Sequence, residues 1–503
     1  MGGEKSFNVP RVSRAQILNA YKAGPDAVVS LIEYLQEQHR STIDQLLEII
    51  DKLTARIESL EEKSNTDSHN SNTPPSSDGF HKRIHSRRTP SGKKPGGQEG
   101  HEGTTLSMVK HPDHIEVHSV FRCVHCGNSL KDQKAKGYEK RQVFDLPPVE
   151  VEVHEHRAEV KRCARCGKPT IAEFPEGVTH KAQYGNRINA WVSYLRNYGL
   201  LPYERLSELF QDLVGLNIST GTLANIDRRC SAGLEKTVES IKEALKGRAV
   251  IGCDETGIRI NGKLHWMHSA STEDLTYYAW HPRRGNAATD EIGILPEYHG
   301  IAVHDNRKSY FLYQCRHALC NAHHIRELEF VAEQFNQSWA QKMINLLLYS
   351  KDAVEKAKAA GRKRIALSER SKIEEWYEQL IAEGTRANPP PPRNASLPRK
   401  RGRRKRSRAA NLLERLREYS EETLRFALDF RVPFDNNLAE RDLRMMKVQQ
   451  KISGTFRSAE GASTFCRIRS YISTMRKQGI RVIDALNSLF DGRPLLTPTL
   501  QRS

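Results

Sequence analysis

The sequence has no run of about 18 apolar residues, so nothing in it reads as a membrane-spanning helix. Its start, Met1 to Ser6, has no apolar core, and no secretory signal is expected there. Cysteine is scarce and odd in number, nine in 503 residues. That is too few for a disulfide scaffold and points to a reducing compartment, the cytoplasm. Acid is short relative to base: 61 Asp and Glu face 79 Lys and Arg, a net charge of +18. The deficit favours a polyanionic partner, and nucleic acid is expected rather than a membrane surface. No solenoid-type repeat is visible. The length suggests roughly three or four domains.

Four of the nine cysteines form two pairs, Cys123-Val-His-Cys126 and Cys163-Ala-Arg-Cys166. Each pair continues into a glycine, Gly127 or Gly167, as a tight ligand-presenting turn requires. Two such turns supply four thiolates, the donor set of a structural tetrahedral Zn²⁺, with no position open for water. The 36 intervening residues exceed the usual ribbon spacing, so the gap should hold a small sheet. Val143–Leu146 and Val149–Val153 are its expected strands, and Ile115–Val120 is a further β-like run ahead of the first pair.

Residues 25–63 read as one helix. Ile43, Leu46, Ile50, Leu53, Ile57 and Leu60 step by three and four with charges between, a short heptad seam. It serves either self-association or packing on its own chain. Residues 64–104 are rich in Ser, Asn, Pro, Gly and cations, including Lys82, Arg83, Arg87, Arg88, Lys93 and Lys94, and read as a flexible basic linker. Residues 105–178 form the zinc-binding β domain.

Residues 180–247 are helical. Tyr203–Leu213 forms a first helix that Gly215 ends, and Ser219 or Thr220 caps a second running to about Arg229. The arrangement is that of a helix-turn-helix, with Thr222, Asn225, Arg228 and Arg229 facing a DNA groove. An ordinary helical hairpin has the same pattern.

From residue 249 an apolar run ends in Asp254. Strands follow at 262–271 and 275–280, with turns at Asn261-Gly262 and Glu273-Asp274, then a helical piece at 286–298. A fourth strand, 300–305, again ends in an acid, Asp305. This β-β-β-α-β order, with acids on strands one and four, opens a ribonuclease-H-like fold. Two-metal phosphoryl transfer needs a third carboxylate converging on the same ions. Glu440, early in a helix capped by Asp435, is the first choice, with Asp435 and Asp442 as rivals. Arg441 and Arg444 add charge for phosphate. The run 393–408 holds nine basic residues and no acid, among them Arg403, Arg404, Lys405 and Arg406. It reads as a basic loop for phosphate contact, with steep salt dependence.

Several segments together resemble the transposases of the bacterial insertion-sequence-66 family, from about residue 30 to 492. They are Asn72–Asp78 with Lys94–His101, the two cysteine pairs, Asp254-Glu-Thr, His304-Asp305 with Tyr310, and Cys320-Asn-Ala-His323-His-Ile-Arg326-Glu. The most specific is Val432-Pro-Phe-Asp-Asn-Asn-Leu-Ala-Glu440-Arg-Asp-Leu-Arg-Met-Met-Lys, followed by Lys451–Ser458 and Ile468–Thr474. Leu438 and His324 depart from the family's usual residues.

The resemblance implies an Asp-Asp-Glu transposase that binds the inverted-repeat ends of its own element, cleaves them and joins them to target DNA. It assigns Asp254, Asp305 and Glu440 to two Mg²⁺ ions, for which Mn²⁺ can substitute. It makes 248–475 the catalytic domain, with a helical and basic insertion at about 331–410, and 476–503 a helical tail. The whole is a multidomain α/β chain in which coiled coil, zinc domain and helix-turn-helix precede the ribonuclease-H-like domain. Arg326 becomes a phosphate contact, and Cys320 with His323 take either a metal or a DNA-positioning role. The implied partners are DNA, a second copy through the N-terminal helix and accessory proteins of the element; the implied location is the bacterial cytoplasm, at the nucleoid. The competing reading is a non-catalytic zinc-containing helix-turn-helix DNA-binding protein.

Overall fold

A computed structural model describes residues 12–64, 106–389 and 406–495 of the chain. The basic linker, with its cations from Lys82 to Lys94, and Arg403, Arg404 and Lys405 lie outside the described residues.

The chain opens with α1 (Arg14–Ala23), where sequence reading found no element. Ser13 and Gln16 form a reciprocal capping box at its start. Gly24, at φ 110°, ends it, and Pro25 opens α2 (Pro25–Ser64), as proline at a first helical position can. The α2 seam residues stand in the open, Ile43 and Ile50 each 55% exposed.

The cysteine region carries two short strands, β1 (Val160–Arg162) and β2 (Pro169–Ile171), paired antiparallel. The strands expected at Ile115–Val120, Val143–Leu146 and Val149–Val153 are absent. Their apolar side chains are exposed, Val143 by 92% and Val153 by 87%. Alternation alone makes no strand where no partner strand lies alongside. Pairing arises where the Cys163–Gly167 turn folds its own flanks together.

Four helices follow: α3 (Asn186–Ser193), α4 (Tyr203–Val214), α5 (Thr220–Gly233) and α6 (Glu235–Lys246). Then come β3 (Val250–Ile260), β4 (Lys263–Ser271), β5 (Thr276–His281), α7 (Asn286–Ile292), β6 (Ile301–His304) and β7 (Arg316–Leu319). The expected β-β-β-α-β order is present. The Asn261-Gly262 turn has positive φ at both residues, 49° and 73°, the conformation of a tight two-residue hairpin. Strand β3 does not stop at Asp254. It runs six residues further, because Thr256-Gly-Ile-Arg-Ile keeps an alternating pattern with Ile258 and Ile260 buried.

The remaining elements are α8 (Asn321–Phe335), α9 (Ser338–Ala359), α10 (Leu367–Ala387), α11 (Arg408–Glu418), α12 (Ser420–Leu428), α13 (Asn437–Ser453), α14 (Ala459–Lys477) and α15 (Val482–Phe490). Helix α8 passes straight through residue 331, where the insertion was expected to begin.

The chain forms two compact units. Among the described residues, the first comprises 12–64, 248–253, 295–389 and 406–437; the second comprises 106–247, 254–294 and 438–495. In the first, the start of β3 pairs parallel with β6, and β6 with β7, in register Val250↔Ile301 and Ile301↔Arg316. Ile301, Val303 and Ala318 of these strands pack into one core with Trp339, Leu347, Tyr377 and Leu416 of the helices. In the second unit the order is β5-β4-β3, with β4 and β5 antiparallel. Its core joins Ile258, Met267 and Tyr278 to Leu443, Met446 and Phe465, and a separate cluster joins α3, α4 and α5 through Val192, Leu206, Phe210 and Leu223.

Candidate metal centre

Asp305 follows directly on β6, a strand of four buried residues. Its position is set by His304, which has no exposed surface. His304 Nδ1 lies 2.6 Å from the Asp305 carbonyl oxygen and Nε2 lies 3.0 Å from His317 Nδ1. His317 Nε2 in turn meets the Tyr313 carbonyl at 3.1 Å, and the Tyr310 ring stacks on His304 at 4.5 Å. The backbone bearing the acid is thus held from behind by two imidazoles.

Across from it stands the first turn of α8. Asp305 Oδ1 is 2.6 Å from His323 Nδ1. The potential ligand atoms of Asp305, Cys320 and His323 lie within 4.8 Å of one another. Burial alone would raise the Asp305 pKa, yet contact with His323 and the charges of His323, His304 and Arg326 hold it below the usual carboxylate value. Burial likewise opposes charge on His323, but Asp305 and Cys320 carry its pKa up to about 11. The neighbouring His324 is pushed down to about 3 by burial, with Arg415 and His323 adding to it. Adjacent histidines are therefore held in opposite charge states.

A residue that sequence reading did not single out ties this region together. Asn436 is 2% exposed. Its Nδ2 donates to the Cys253 carbonyl at 2.8 Å, and its backbone N–H donates to Cys320 Sγ at 3.2 Å. Asn321 N–H donates to the Phe434 carbonyl at 3.2 Å and its Nδ2 to Thr423 at 2.9 Å. Cys253 immediately precedes Asp254, and Asn436 lies four residues before Glu440. The segments leading into both acids therefore share an anchor with the start of α8.

In the second unit, Asp254 sits mid-strand on β3, half-buried. Its Oδ1 accepts from the Glu255 N–H at 2.8 Å. Glu255 points to the opposite face, as strand alternation requires, and is spent on structure. Its carboxylate pairs with Arg284 at 2.9 Å, and that guanidinium covers the Trp266 ring at 4.2 Å. Glu440 lies in the first turn of α13. Its rivals have other work. Asp435 Oδ1 accepts from the Asn437 N–H at 3.1 Å, in the capping role expected. Asp442 Oδ2 accepts from Ser271 Oγ at 2.7 Å and Thr276 Oγ1 at 3.3 Å and pairs with Lys477 at 2.7 Å. Tyr278 donates to the Asp442 carbonyl at 2.9 Å. Asp442 thus clamps α13 to β4, β5 and α14. Arg441 and Arg444 are exposed, and Arg326 is half-buried.

The first helix and the start of the second have the expected boundaries, but the second does not end near Arg229. Gly215 ends α4 at φ 69°, and the Ser219 side chain accepts from Thr222 N–H at the start of α5. Helix α5 runs on to Gly233, and one face is deeply buried. Asn225, Arg228 and Arg229 are exposed; Thr222 is half-buried against Ser219. Arg228 faces Glu460 at 3.7 Å and Arg229 donates to Asn189 Oδ1 at 3.3 Å, so both are engaged within the chain. Beneath them Asp227 accepts from Tyr203 at 2.8 Å and Asn197 at 2.9 Å, with its pKa raised to about 6, chiefly by burial. Arg406 pairs with Glu414.

The two cysteine turns are near copies. Cys123 N–H donates to Asn128 and Gly127 N–H to Cys123; Cys163 N–H donates to Lys168 and Gly167 N–H to Cys163, at 2.8–3.0 Å. Gly127 and Gly167 take φ of 73° and 69°, which the return of the chain requires. Backbone amides of the following residues hold the Cys123 and Cys163 thiols below the ordinary cysteine pKa. That favours thiolates, and the donor set fits Zn²⁺. Among the described residues, the four sulfurs are not gathered around one centre.

The model of the Transposase IS66 family matches residues 181–464, and that of the zinc-finger binding domain of transposase IS66 matches residues 122–167. A family of unknown function matches residues 28–107. No curated protein matches the chain. The first match spans more than half of the 503 residues and contains Asp254, Asp305 and Glu440, and on it the chain belongs to the Transposase IS66 family, with that family's zinc-finger domain ahead of the transposase region.

Proposed function

We propose that the chain cuts the ends of its own element and joins them to target DNA in a ribonuclease-H-like domain, with Asp254, Asp305 and Glu440 as the metal-binding acids. The observation that carries this is the division of labour among the acids. Asp305 is kept anionic and its backbone is fixed by His304, while Asp435 and Asp442 are consumed in capping and clamping. Mg²⁺ bound there supplies activation of the attacking hydroxyl and stabilisation of the leaving oxygen. The chain's part is to hold its carboxylates in place and to draw phosphates in. Arg326, Arg441 and Arg444, with Arg403, Arg404, Lys405 and Arg406, supply the charge; the α4–α5 hairpin, through Thr222, Asn225, Arg228 and Arg229, reads the end sequence. For the two arginines this means exchanging Glu460 and Asn189 for DNA.

Cys123, Cys126, Cys163 and Cys166 hold a structural Zn²⁺, and ion binding draws the two turns together. Helix α2 pairs with a second copy through its exposed seam, so that two ends are held at once. No described helix is long and apolar enough to cross a membrane; the site of action we propose is the nucleoid. Labelled DNA carrying the element's ends, incubated with Mg²⁺ and either wild type or Glu440→Gln, tests the reading. Nicking at the end by wild type and binding without nicking by the variant is expected. Equal nicking by both would remove Glu440 from the site.

A further inference from the structure

The donors facing Asp305 differ in kind from those that a magnesium site uses. Mg²⁺ is held through oxygen, whereas thiolate and imidazole select softer ions. Cys320 and His323 stand three apart around the first turn of α8, a spacing that puts both on one helix face. With Asp305 they offer one sulfur, one nitrogen and one oxygen within 4.8 Å of one another. Ligand atoms in a tetrahedral zinc site are ~3.5 Å apart, given bonds of roughly 2.0–2.3 Å. The approach needed is small.

Two further observations bear on the site. Asp305 Oδ1 is buried and lies 2.6 Å from His323 Nδ1. Cys320 is 1% exposed, and its sulfur accepts the Asn436 N–H at 3.2 Å, the kind of outer contact that orients a metal-binding thiolate.

We infer that Asp305, Cys320 and His323 form a site for a soft divalent transition-metal ion, of the Zn²⁺ class, separate from the zinc of the cysteine turns. Binding there does not depend on the catalytic reading. Its consequence does: if Asp305 is a magnesium ligand, zinc at this site competes with magnesium and restrains cleavage.

The test uses the full chain, loaded with Zn²⁺ or Co²⁺, freed of excess metal and assayed for metal content. Wild type should retain one equivalent more than Cys320→Ser or His323→Gln. A Cys163→Ser/Cys166→Ser chain should still retain one equivalent, with a cobalt–thiolate charge-transfer band that disappears when Cys320→Ser is added. His323→Gln, at a half-buried position, gives the answer if Cys320→Ser fails to fold. Full metal content in both single variants would overturn the inference, as would no retained metal in the cysteine-turn variant. In the cleavage assay, the zinc concentration that halves activity should rise at least ~10-fold in Cys320→Ser. An extra equivalent of metal in a chain that never cleaves would leave this site standing and overturn the catalytic reading instead.

Discussion

The chain contains two sets of metal donors built on opposite plans. Around Asp305 the donors are buried or half-buried, and two of them are held by protein partners: two imidazoles behind the acid, and Asn436 at Cys320. At the cysteine turns the donors are exposed or nearly so, held by their own backbone, and surrounded by apolar side chains that remain in the open. The first set has its geometry from packing and can receive an ion without refolding. The second has only its local turns, so an ion must supply the long-range order. A protein can thus carry one metal site that depends on its core and another on which a domain's own fold depends.

Chelation should separate the two most sharply. Removal of metal should abolish the hydrogen-exchange protection of residues 122–171, and zinc should restore it. The Ile301, Trp339 and Leu416 core should keep its protection throughout. Loss of both together would erase the distinction.

The packing of α13 comes next. Asp442 and Lys477 are 14% and 13% exposed, so Asp442→Ala leaves a buried cation with only the Thr272 and Leu275 carbonyls. The cost should be about 3–5 kcal/mol, as for breaking other buried ion pairs. Asp442→Asn, which keeps an acceptor for Ser271, should lose less. Denaturant unfolding of the two variants measures the difference.

Asn436→Ala should cost about 1–3 kcal/mol, because the Cys253 carbonyl loses its buried donor. It should also raise the magnesium concentration needed for half-maximal cleavage, while the cysteine turns keep their zinc. An unchanged magnesium requirement would make Asn436 a packing residue only.

The smallest effect concerns pH. Asp227 has its folded pKa raised to about 6 from an ordinary 3.8, so the folded state holds its proton longer than the unfolded state does. The resulting stability is complete below about 4 and is lost as pH rises through about 6. Wild type should therefore lose stability relative to Asp227→Asn across that window. Parallel stability profiles would contradict the burial argument.

Much of this was legible in the sequence where the signal is local. The Asn261-Gly262 hairpin, the α4 boundaries and the start of α5, the Asp435 cap and the order of strands and helix up to Asp305 all follow from neighbours in the chain. The α1 capping box at Ser13 and Gln16 was equally local, but the short segment without a clear apolar face gave no reason to look for it. The strands expected between the cysteine pairs failed because alternation says nothing about whether a partner exists. Strand β7, only four residues long, was too short to stand out. Asn436 was illegible for a different reason: its partners lie 116 and 183 residues away. The same holds for Asp442, which reads as a spare acid until Ser271 and Lys477 are seen around it.

The central claim is that three acids of the set do chemistry and the others hold structure. Mg²⁺-dependent cleavage of end-bearing DNA by Asp254→Asn, Asp305→Asn, Glu440→Gln, Asp435→Asn and Asp442→Asn tests it in one series. The first three should bind DNA normally and lose at least about 10³-fold in cleavage rate, as removal of groups that stabilise transition-state charge does. The last two should keep cleavage within about tenfold once their lower stability is allowed for. Full cleavage by any of the first three, or a loss of that size in Asp435→Asn or Asp442→Asn with the fold intact, would contradict the account.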